Sequence, residues 1–456
     1  MSKFQHLDCC VPVEADNPAI VKNNDLCALC GHCLAVCQEE IGVQLHYDLL
    51  KNHDTAICIN CGQCSANCPE EAITVRSECQ AVKDAIRNPD KIVVFSTSPS
   101  VRVGLGDAFS DQPGRYVEGK MVAALKALGA DYVFDVTFSA DLTILEEGSE
   151  LIRRITTGSA PLPQFTSCCP AWVKYVETFH PEFIPNISSA KSPIGMQGPT
   201  IKTYFAMKKQ LDPSRIVNVV VTPCTAKKAE IRRPEFNAAG RLLKRPEIRD
   251  NDYCITSKEL AQWLKEEGID FNDLPDLPFD DILGKGTGAG VIFGNTGGVM
   301  EAALRYAYEV LTHQKPPETL LKFTPVRGMA GVKEASIDVA GLTLKIAVVY
   351  GTENADKFLQ GDVSQYHFVE VMTCPGGCIS GAGQPQCHSI PVTDAIRMQR
   401  IASLYSEDER MTLRNSCDNP EIQAIYREFY KEPLSPISEA LLHTSYYGHK
   451  IGRAHV

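Results

Sequence analysis

Cysteine is the residue type that most clearly points to chemistry in this chain. Nineteen cysteines occur in 456 residues, and most of them lie in short runs. The runs CALCGHCLAVC and CINCGQCSANCP both have the spacing C-x2-C-x2-C-x3-C. Three closely spaced thiolates can bind three corners of a four-iron cube, and the fourth ligand then comes from the other run. In a chain of this size the pattern favours iron–sulfur clusters over disulfides.

This spacing is typical of bacterial ferredoxins and predicts two 4Fe-4S clusters near the N-terminus. The expected ligands of one cluster are Cys27, Cys30, Cys33 and Cys68. The expected ligands of the other cluster are Cys58, Cys61, Cys64 and Cys37. Two independent zinc sites are the alternative, but zinc sites usually contain C-x2-C pairs separated by a long gap. Two neighbouring clusters conduct electrons, so the chemistry needs a separate site.

A different sequence texture begins at about Ile92. Short β-rich runs such as KIVVFS, RIVNVVVT and HFVEVM alternate with amphipathic helical stretches. This alternation predicts a large α/β domain with mainly parallel sheets after the small ferredoxin-like domain. Ligands of such sheets gather beyond the carboxyl ends of the strands. The cysteines in that position are Cys168 and Cys169 after PQFTS, Cys224 after RIVNVVVTP, and Cys374 and Cys378 after HFVEVMT.

Composition argues against several classes of partner and location. The net charge of −11 argues against binding of nucleic acid. Apolar runs stay shorter than the ~18 residues that a membrane span needs, which predicts no membrane span. The N-terminal residues lack the apolar stretch of a secretion signal. These features, with the many thiols, predict a cytoplasmic protein.

Three motifs resemble the signature motifs of iron-only, or FeFe, hydrogenases. They are TSCCPAW (166–172), TPCTAKKAE (222–230) and EVMTCPGGCISGAGQP (370–385), and the resemblance extends from about Asp25 to near Tyr447. It implies an H-cluster, which is a 4Fe-4S cubane joined through a cysteine sulfur to a two-iron unit with CO, cyanide and a bridging azadithiolate. The implied ligands of the cubane are Cys169, Cys224, Cys374 and Cys378, with Cys378 shared with the two-iron unit.

The resemblance also implies residues that carry protons. Cys168 would face the two-iron unit, and the ordinary thiol pKa of ~8.5 suits proton transfer near neutral pH. The implied relay beyond it consists of Glu147, Ser188, Glu150 and Arg154. The two glutamates and the arginine recur at helical spacing on one face of a predicted helix. A solvated charged stripe is the alternative interpretation of that face.

Further residues are implied around the two-iron unit. Lys227 would donate a hydrogen bond to a cyanide ligand, Ser100 and Pro99 would contact the second cyanide, and Met372 would lie over the unit. Anionic ligands in a dry pocket need such donors. The residues that depart from the commoner family pattern are Ala171, Thr222, Ala382 and Ile194. These departures predict a less common subgroup with altered packing and polarity around the two-iron unit.

The expected domain organisation follows from the motifs. Residues 1–20 form an extension, 21–88 the ferredoxin-like domain, 89–447 the H-cluster domain and 448–456 a tail that ends in IGRAHV, a possible sequencing artefact. Cys9 and Cys10 are expected to be free thiols near a mobile terminus, with ligands of a further cluster as the alternative. Cys254 is expected to be a core thiol.

The predicted function is reversible interconversion of H2 with two protons and two electrons. Electrons would pass between the H-cluster and a ferredoxin-type carrier through the two N-terminal clusters, and maturation proteins would supply the H-cluster. One alternative is a hydrogen-sensing regulatory hydrogenase, which usually lacks the proton-passing cysteine and carries a signalling domain. Another is a non-catalytic relative used in iron–sulfur assembly, which lacks the two-iron pocket. Cys168, Lys227 and Met372 favour the enzyme over both alternatives.

Overall fold

The computed structural model describes residues 4–46 and 55–449. Every cysteine predicted to bind a cluster lies within these ranges. The suspected artefactual end of the chain, IGRAHV, lies outside the described residues.

The N-terminal part is small and built from short elements. In chain order these are β1 (Ile20–Lys22), α1 (His32–Glu39), α2 (Val43–His46), α3 (Gln63–Ala66) and β2 (Ile73–Val75). β1 pairs antiparallel with β2. Gly31 and Gly62 precede α1 and α3 with φ of 81° and 69°, a conformation that glycine adopts without steric cost and that turns each cysteine loop into its helix. We call residues 4–46 and 55–77 the cluster region.

The remaining elements form the large α/β part of the chain. Its strands are β3 (Ile92–Thr97), β4 (Tyr132–Asp135), β5 (Gln164–Phe165), β6 (Ile216–Thr222), β7 (Tyr253–Thr256), β8 (Val332–Val339), β9 (Leu342–Tyr350) and β10 (Phe368–Met372). Its earlier helices are α4 (Cys79–Arg87), α5 (Val101–Ala108), α6 (Glu118–Ala127), α7 (Val136–Thr157), α8 (Pro170–Phe179), α9 (Pro193–Thr200), α10 (Ala206–Lys209), α11 (Lys227–Glu230) and α12 (Ala238–Leu243). Its later helices are α13 (Ser257–Glu266), α14 (Gly288–Val291), α15 (Gly298–Thr312), α16 (Glu318–Leu321), α17 (Thr352–Leu359), α18 (Asp394–Arg410), α19 (Pro420–Ile425) and α20 (Pro436–Leu442).

The strands of this part are mainly parallel. One sheet has the order β4-β3-β6-β7, and all of its pairings are parallel. A further sheet has the order β5-β10-β9-β8, in which only the β8–β9 pairing is antiparallel. β6 has the apolar sequence IVNVVVT and is buried along its whole length, as expected for a parallel strand covered on both faces. The predicted α/β class with mainly parallel sheets is confirmed.

The β8–β9 hairpin shows why one pairing is antiparallel. Ala340 and Gly341 connect the two strands, with φ of 52° and 81°. Two successive residues with positive φ are characteristic of the tight turns that join antiparallel strands. β8 lies at the edge of the sheet, and its alternating exposure indicates that one of its faces points toward solvent.

Helix α7 is long and mostly buried. The Asp135 carboxylate caps its first turn by accepting from the Thr137 N–H at 2.9 Å, and Gly158 ends it in the left-handed conformation. Glu147, Glu150 and Arg154 are all buried on this helix. The predicted helical spacing of these groups is therefore present, but they face the interior of the protein.

Helix α4 belongs by its contacts to the large part. Val82 is fully buried in a core with Val93 of β3 and Leu264 of α13. Its neighbour Glu78 accepts a hydrogen bond from the Cys254 N–H at 2.8 Å. The structural transition between the cluster region and the large part thus lies close to Ser77.

Candidate active site and cluster sites

The predicted catalytic cysteines follow the carboxyl ends of parallel strands. Phe165 ends β5, Thr222 ends β6 and Met372 ends β10. The chain after each of these strands contributes cysteines to one shared cavity, and the loop after β3 contributes Pro99 and Ser100 to it. Parallel strands of two neighbouring sheets therefore deliver side chains from distant parts of the sequence to one place.

We call this space the catalytic cavity. About 710 Å³ of space at this site, part of it open to solvent, is not filled by protein atoms. The predicted site residues that line it are Pro99, Ser100, Cys168, Cys169, Cys224, Lys227, Met372, Cys374 and Cys378. The structure thus brings together all the thiols expected near the H-cluster and all the residues expected around its two-iron unit.

The four thiols expected to bind the cubane are buried together. Burial raises the pKa of Cys224 to about 12, and the charge of a neighbouring Cys169 thiolate adds to this rise. Burial also raises the pKa of Cys374 and of Cys378, again with contributions from the neighbouring thiolates. Several thiolates in one dry cavity repel each other, and iron ions would remove that cost. The donor set therefore fits a cubane.

Cys169 and Cys168 are adjacent but have different neighbours. Cys169 begins α8 as its N-cap, and its sulfur lies 3.4 Å from the Thr373 N–H and hydroxyl, beside Cys374. Cys168 faces the carboxylate of Glu147, whose charge adds to the effect of burial in raising the pKa of the Cys168 thiol. The two sulfurs of this pair thus have separate environments, one near the other thiols and one near an acidic group.

Glu147 is the first buried acid beyond Cys168. It is 1% exposed, and its carboxylate makes no close hydrogen bond with the described residues. Burial raises its pKa to about 8, with a further contribution from the charge of Glu150. The Ser188 hydroxyl faces the same carboxylate at longer range. A carboxyl group with a pKa near neutrality can accept and release protons at working pH.

The next groups are joined by direct hydrogen bonds. The Ser188 hydroxyl donates to Glu150 Oε2 at 2.8 Å. Arg154 Nη2 donates to Glu150 Oε1 at 2.6 Å, and the Arg154 guanidinium also donates to the backbone carbonyls of Pro161 and Ile187. Successive members of the predicted relay are therefore neighbours, and the alternative of a solvated charged stripe does not describe these buried side chains.

Two polar groups of the cavity are placed to meet a ligand. The Lys227 ammonium donates to the Cys168 carbonyl at 3.0 Å and pairs with Glu230 at 2.9 Å. Burial lowers its pKa, but the charge of Glu230, its hydrogen bond to Lys227 and the charges of the neighbouring thiolates together more than offset this, so the net pKa is raised and Lys227 remains charged. The Ser100 hydroxyl is buried and finds no hydrogen-bond partner within the described residues. A charged donor and an orphaned hydroxyl fit the anionic ligands expected here.

The four departures from the commoner pattern lie in two kinds of place. Thr222 and Ile194 line the catalytic cavity. Ala171 is a buried residue of α8 that packs in the hydrophobic core. Ala382 lies close to Gly62 of the cluster region, where an added Cβ atom would be 3.0 Å from the Ala382 Cβ. The first two therefore bear on the polarity of the cavity, and the other two bear on packing.

The cysteines of the cluster region lie around two further cavities. The cavity that we call outer is lined by Cys10, Cys27, Cys30, Cys33 and Cys68. The cavity that we call inner is lined by Cys37, Cys58, Cys61 and Cys64. Each predicted ligand set is thus brought together, with the fourth cysteine of each run placed beside the other run.

Cys10 is a free cysteine, as expected, but it is buried and not part of a mobile terminus. It is 1% exposed, and its sulfur lies 3.4 Å from the Cys27 sulfur. Cys9 follows the expectation more closely, because it is partly exposed and its sulfur lies 3.8 Å from that of Cys10. The segment before β1 packs over the outer cavity, and no sequence pattern linked Cys10 to that cavity. Cys254 is a fully buried core thiol, as expected.

Gln63 is a site residue that sequence reasoning missed. It lies between Cys61 and Cys64 of the inner cavity, and its amide donates to the Cys374 sulfur at 3.1 Å and to the Ser380 carbonyl at 3.0 Å. The Thr225 hydroxyl, next to Cys224, donates to the Asn60 carbonyl at 2.8 Å. These contacts place the inner cavity directly against the thiols of the catalytic cavity. Gln63 could have been noticed as a polar residue between two predicted ligands, but the sequence does not show which group it contacts.

Known families match most of the chain. Residues 91–382 match the family described as iron only hydrogenase large subunit, C-terminal domain, and residues 394–449 match iron hydrogenase small subunit. Residues 52–74 match a 4Fe-4S binding domain. None of the helices in the described part of the chain is long and apolar enough to cross a membrane.

Curated relatives include hydrogenases and an assembly component. The chain is 43% identical over 441 residues to NADP-reducing hydrogenase subunit HndD of Solidesulfovibrio fructosivorans, covering 94% of this chain and 68% of the relative. It is 37% identical over 450 residues to iron hydrogenase 1 of Clostridium pasteurianum, covering 95% and 77%. It is also 32% identical over 386 residues to cytosolic iron-sulfur assembly component 3 of Bos taurus, covering 82% and 78%.

Solved structures give the same result. The fold matches a variant of FeFe-hydrogenase HydA1 from Chlamydomonas reinhardtii with 38% identity and a TM-score of 0.72, covering 82% of this chain and 99% of that one. The fold, the thiol-lined cavities and these matches agree with one another. The chain therefore belongs to the iron-only hydrogenase family and is an iron–sulfur oxidoreductase that acts on H2.

Proposed function

We propose that the chain reversibly interconverts H2 with two protons and two electrons at an H-cluster in the catalytic cavity. The observation that carries this proposal is a fifth thiol, Cys168, that lines the cavity beside the four expected cubane ligands and faces buried Glu147. A site that only stores or transfers a cubane needs four thiols. A fifth thiol beside a buried acid suits proton transfer.

The proposed ligands of the H-cluster cubane are Cys169, Cys224, Cys374 and Cys378, with Cys378 shared with the two-iron unit. When bound, the H-cluster supplies the iron chemistry by which H2 is split or formed. The charged Lys227 and the unpaired Ser100 hydroxyl would hold anionic ligands by hydrogen bonds. The Pro99 ring and the Met372 side chain exclude water from the same cavity.

The chain's own contribution to proton transfer is the series of groups that begins at Cys168. The thiol would exchange a proton with the Glu147 carboxyl, whose pKa of about 8 allows both protonation states near neutral pH. Ser188 would then connect Glu147 to Glu150, because its hydroxyl donates to the Glu150 carboxylate and can accept from Glu147 when that carboxyl group is protonated. Arg154 positions Glu150 by its short ion pair.

The chain's contribution to electron transfer is the line of three cavities. The outer and inner cavities would each hold a 4Fe-4S cluster on the ligand sets given above. Gln63 connects the inner cavity to Cys374 through a hydrogen bond. Cys30 is exposed at the outer cavity, which suits electron exchange with a ferredoxin-type carrier at that end. We place the protein in the cytoplasm and expect dedicated maturation proteins to supply the H-cluster.

The assembly relative is the main alternative, because the chain is also similar to cytosolic iron-sulfur assembly component 3. Cys168, Lys227 and Met372 all line the cavity, which supports a two-iron unit there and hence the enzyme. A hydrogen sensor is the other alternative, and the buried groups from Cys168 to Glu150 favour turnover over sensing.

The test is H2 evolution with reduced viologen after anaerobic maturation. We expect the matured protein to contain about 14 irons, from two four-iron clusters and one six-iron H-cluster. It should absorb in the infrared where bound CO and cyanide absorb and protein does not, and it should evolve H2. The matched control is the same chain produced without maturation enzymes, which should keep its cubanes and lack activity. Matured protein that holds only three cubanes, about 12 irons, and shows neither the infrared bands nor turnover would identify an assembly relative.

A further inference from the structure

A cluster of metal-binding side chains lies outside the cavities described above. It consists of His46 on α2 and of Glu353 and Asp356 on α17. Their ligand atoms all lie within 4.8 Å of one another. We propose that these residues bind one divalent cation of the Zn²⁺ type, which joins the cluster region to the large part of the chain.

The geometry suits a small cation. His46 Nε2 lies 3.9 Å from Glu353 Oε2 and 3.6 Å from Asp356 Oδ2. Imidazole nitrogen and carboxylate oxygen bind Zn²⁺ at about 2.0–2.2 Å, so ligand atoms around one ion lie a little closer together than these. Because the His46 side chain is 35% exposed, an ion can enter from solvent and a water molecule can complete its coordination.

Two orphaned polar atoms face the same space. Glu353 Oε2 and the Tyr175 hydroxyl are both buried, and neither has a hydrogen-bond partner among the residues that the structure describes. A Cβ atom built on Gly42 would lie 2.6 Å from the former and 3.3 Å from the latter, so both atoms lie against the same residue. Tyr175 is itself fully buried. Leaving buried polar atoms unpaired is costly, and a cation with a bound water would satisfy both.

The carboxylates are held in place by a surrounding set of groups. His180 Nε2 lies 2.8 Å from Asp356 Oδ1, which leaves Oδ2 directed at His46. The Gln360 amide donates to Asp356 Oδ2 at 2.8 Å. Lys357 lies 3.4 Å from Glu353 Oε1, the oxygen that does not face His46. Such outer groups orient ligands in known metal sites and raise their affinity.

The site lies on the contact between the two parts of the chain. The Thr352 hydroxyl, at the start of α17, donates to the Ile41 carbonyl at 2.8 Å. Tyr175 belongs to α8, the helix that begins next to Cys169. A cation bound here would therefore fasten α2, which follows the Cys37 helix, to elements that position the catalytic cavity. It would stabilise this contact without touching the reacting atoms.

The test uses the iron-loaded protein, because empty thiol sites would bind Zn²⁺ themselves. Zn²⁺ is added after removal of loosely bound metal, and the bound ion is counted by metal analysis after dialysis. We expect one equivalent of zinc with nitrogen and oxygen ligands and no sulfur by X-ray absorption. Zinc should also raise the temperature of thermal unfolding, because it binds the folded state only.

His46→Ala and Glu353→Gln should each weaken zinc binding by at least about tenfold and abolish the thermal shift. His313→Ala removes an exposed histidine at the end of α15 and should change neither measurement. Iron content and viologen activity should stay the same in all three variants. Failure of the unaltered protein to retain zinc, zinc bound through sulfur, or zinc binding that His46→Ala leaves intact would each overturn the proposal. If His46 only forms ion pairs with the two carboxylates, the unaltered protein will not retain zinc.

Discussion

The thiols of the catalytic cavity and those of the cluster region are positioned in different ways. The catalytic thiols follow strands that are buried along their whole length. The cluster-region thiols lie on loops and on helices as short as α3, and Cys30 is exposed. The first set is held by the protein core. The second set has little core of its own.

This difference indicates which part depends on its metal. A short region with three small helices and one two-stranded sheet buries little apolar surface, so bound clusters must contribute to its folding. The catalytic cavity, by contrast, is preformed by parallel sheets and by the buried helix α7. We therefore expect substitutions in the two regions to fail in different ways.

The largest expected difference is between Cys374→Ala and Cys30→Ala. Cys374→Ala removes a proposed ligand of the H-cluster cubane, so H2 evolution with reduced viologen should be abolished while the fold persists. Cys30→Ala removes a proposed ligand of the outer cluster, so viologen activity should largely remain and only the outer cluster should be lost. Iron analysis, electron paramagnetic resonance and viologen assays measure these outcomes. Equal loss of viologen activity in both variants would remove the distinction between a conduit and a catalytic site.

The next effect concerns the buried acid beside Cys168. Glu147→Gln keeps the shape of the side chain but cannot accept a proton, so turnover should fall by about 10²–10⁴-fold with the H-cluster retained. Glu147→Asp, which keeps a carboxyl group, should retain more activity than Glu147→Gln. Matched rates in the two variants, or an unaffected Gln variant, would mean that protons leave the cavity by another route.

Glu147 also gives a stability prediction with a definite sign. Burial raises its pKa in the folded protein from 4.5 to about 8, so the folded state binds more protons than the unfolded state between these values. The free energy of unfolding should therefore fall as pH rises through this interval. Glu147→Gln removes that dependence, so its thermal unfolding temperature relative to the natural protein should increase from pH 5 to pH 8. An unchanged difference across this range would contradict the raised pKa.

Deletion of the cluster region tests whether it conducts electrons or only supports the fold. A chain that begins at Glu78 keeps α4, whose Val82 is buried in the core. A chain that begins after Asn88 would lose this helix. We expect this chain to mature and to evolve H2 with reduced viologen, while its rate with reduced ferredoxin drops by at least about tenfold because the electron path is gone. Proportional losses with both donors would show that the cluster region is structural.

The smallest expected effect is at the outer cavity. The Cys10 thiol can donate a hydrogen bond to the Cys27 sulfur at 3.4 Å, and hydrogen bonds to cluster sulfurs raise reduction potentials. Cys10→Ala should therefore make the potential of the outer cluster more negative by tens of millivolts with its iron retained, as measured by a redox titration followed by electron paramagnetic resonance. Cys9→Ala, a change at the neighbouring thiol, should leave the potential unchanged. Loss of the cluster in Cys10→Ala would instead identify Cys10 as a ligand.

Ligand spacing and strand patterns predicted the fold class and the cysteines that lie together. The features that were not predicted depend on contacts between distant segments. The thiol runs and the strand-terminal cysteines such as Cys224 could be found from the sequence, because ligand spacing and strand ends are local features. The burial of Cys10 and the bond from Gln63 to Cys374 depend on how the cluster region docks, and no local pattern encodes that docking. The cluster of His46, Glu353 and Asp356 also depends on this docking, since its residues come from two separate regions.

Cys168 is proposed to carry protons and Cys169 to bind the cubane, and infrared spectroscopy of matured variants distinguishes these two roles. Cys168→Ala should keep the CO and cyanide bands and the full iron content, while turnover falls by orders of magnitude because alanine cannot carry a proton. Cys169→Ala should lose the bands, because a ligand of the cubane is gone. Bands that persist in Cys169→Ala and vanish in Cys168→Ala would contradict the assignment, as would full activity in Cys168→Ala.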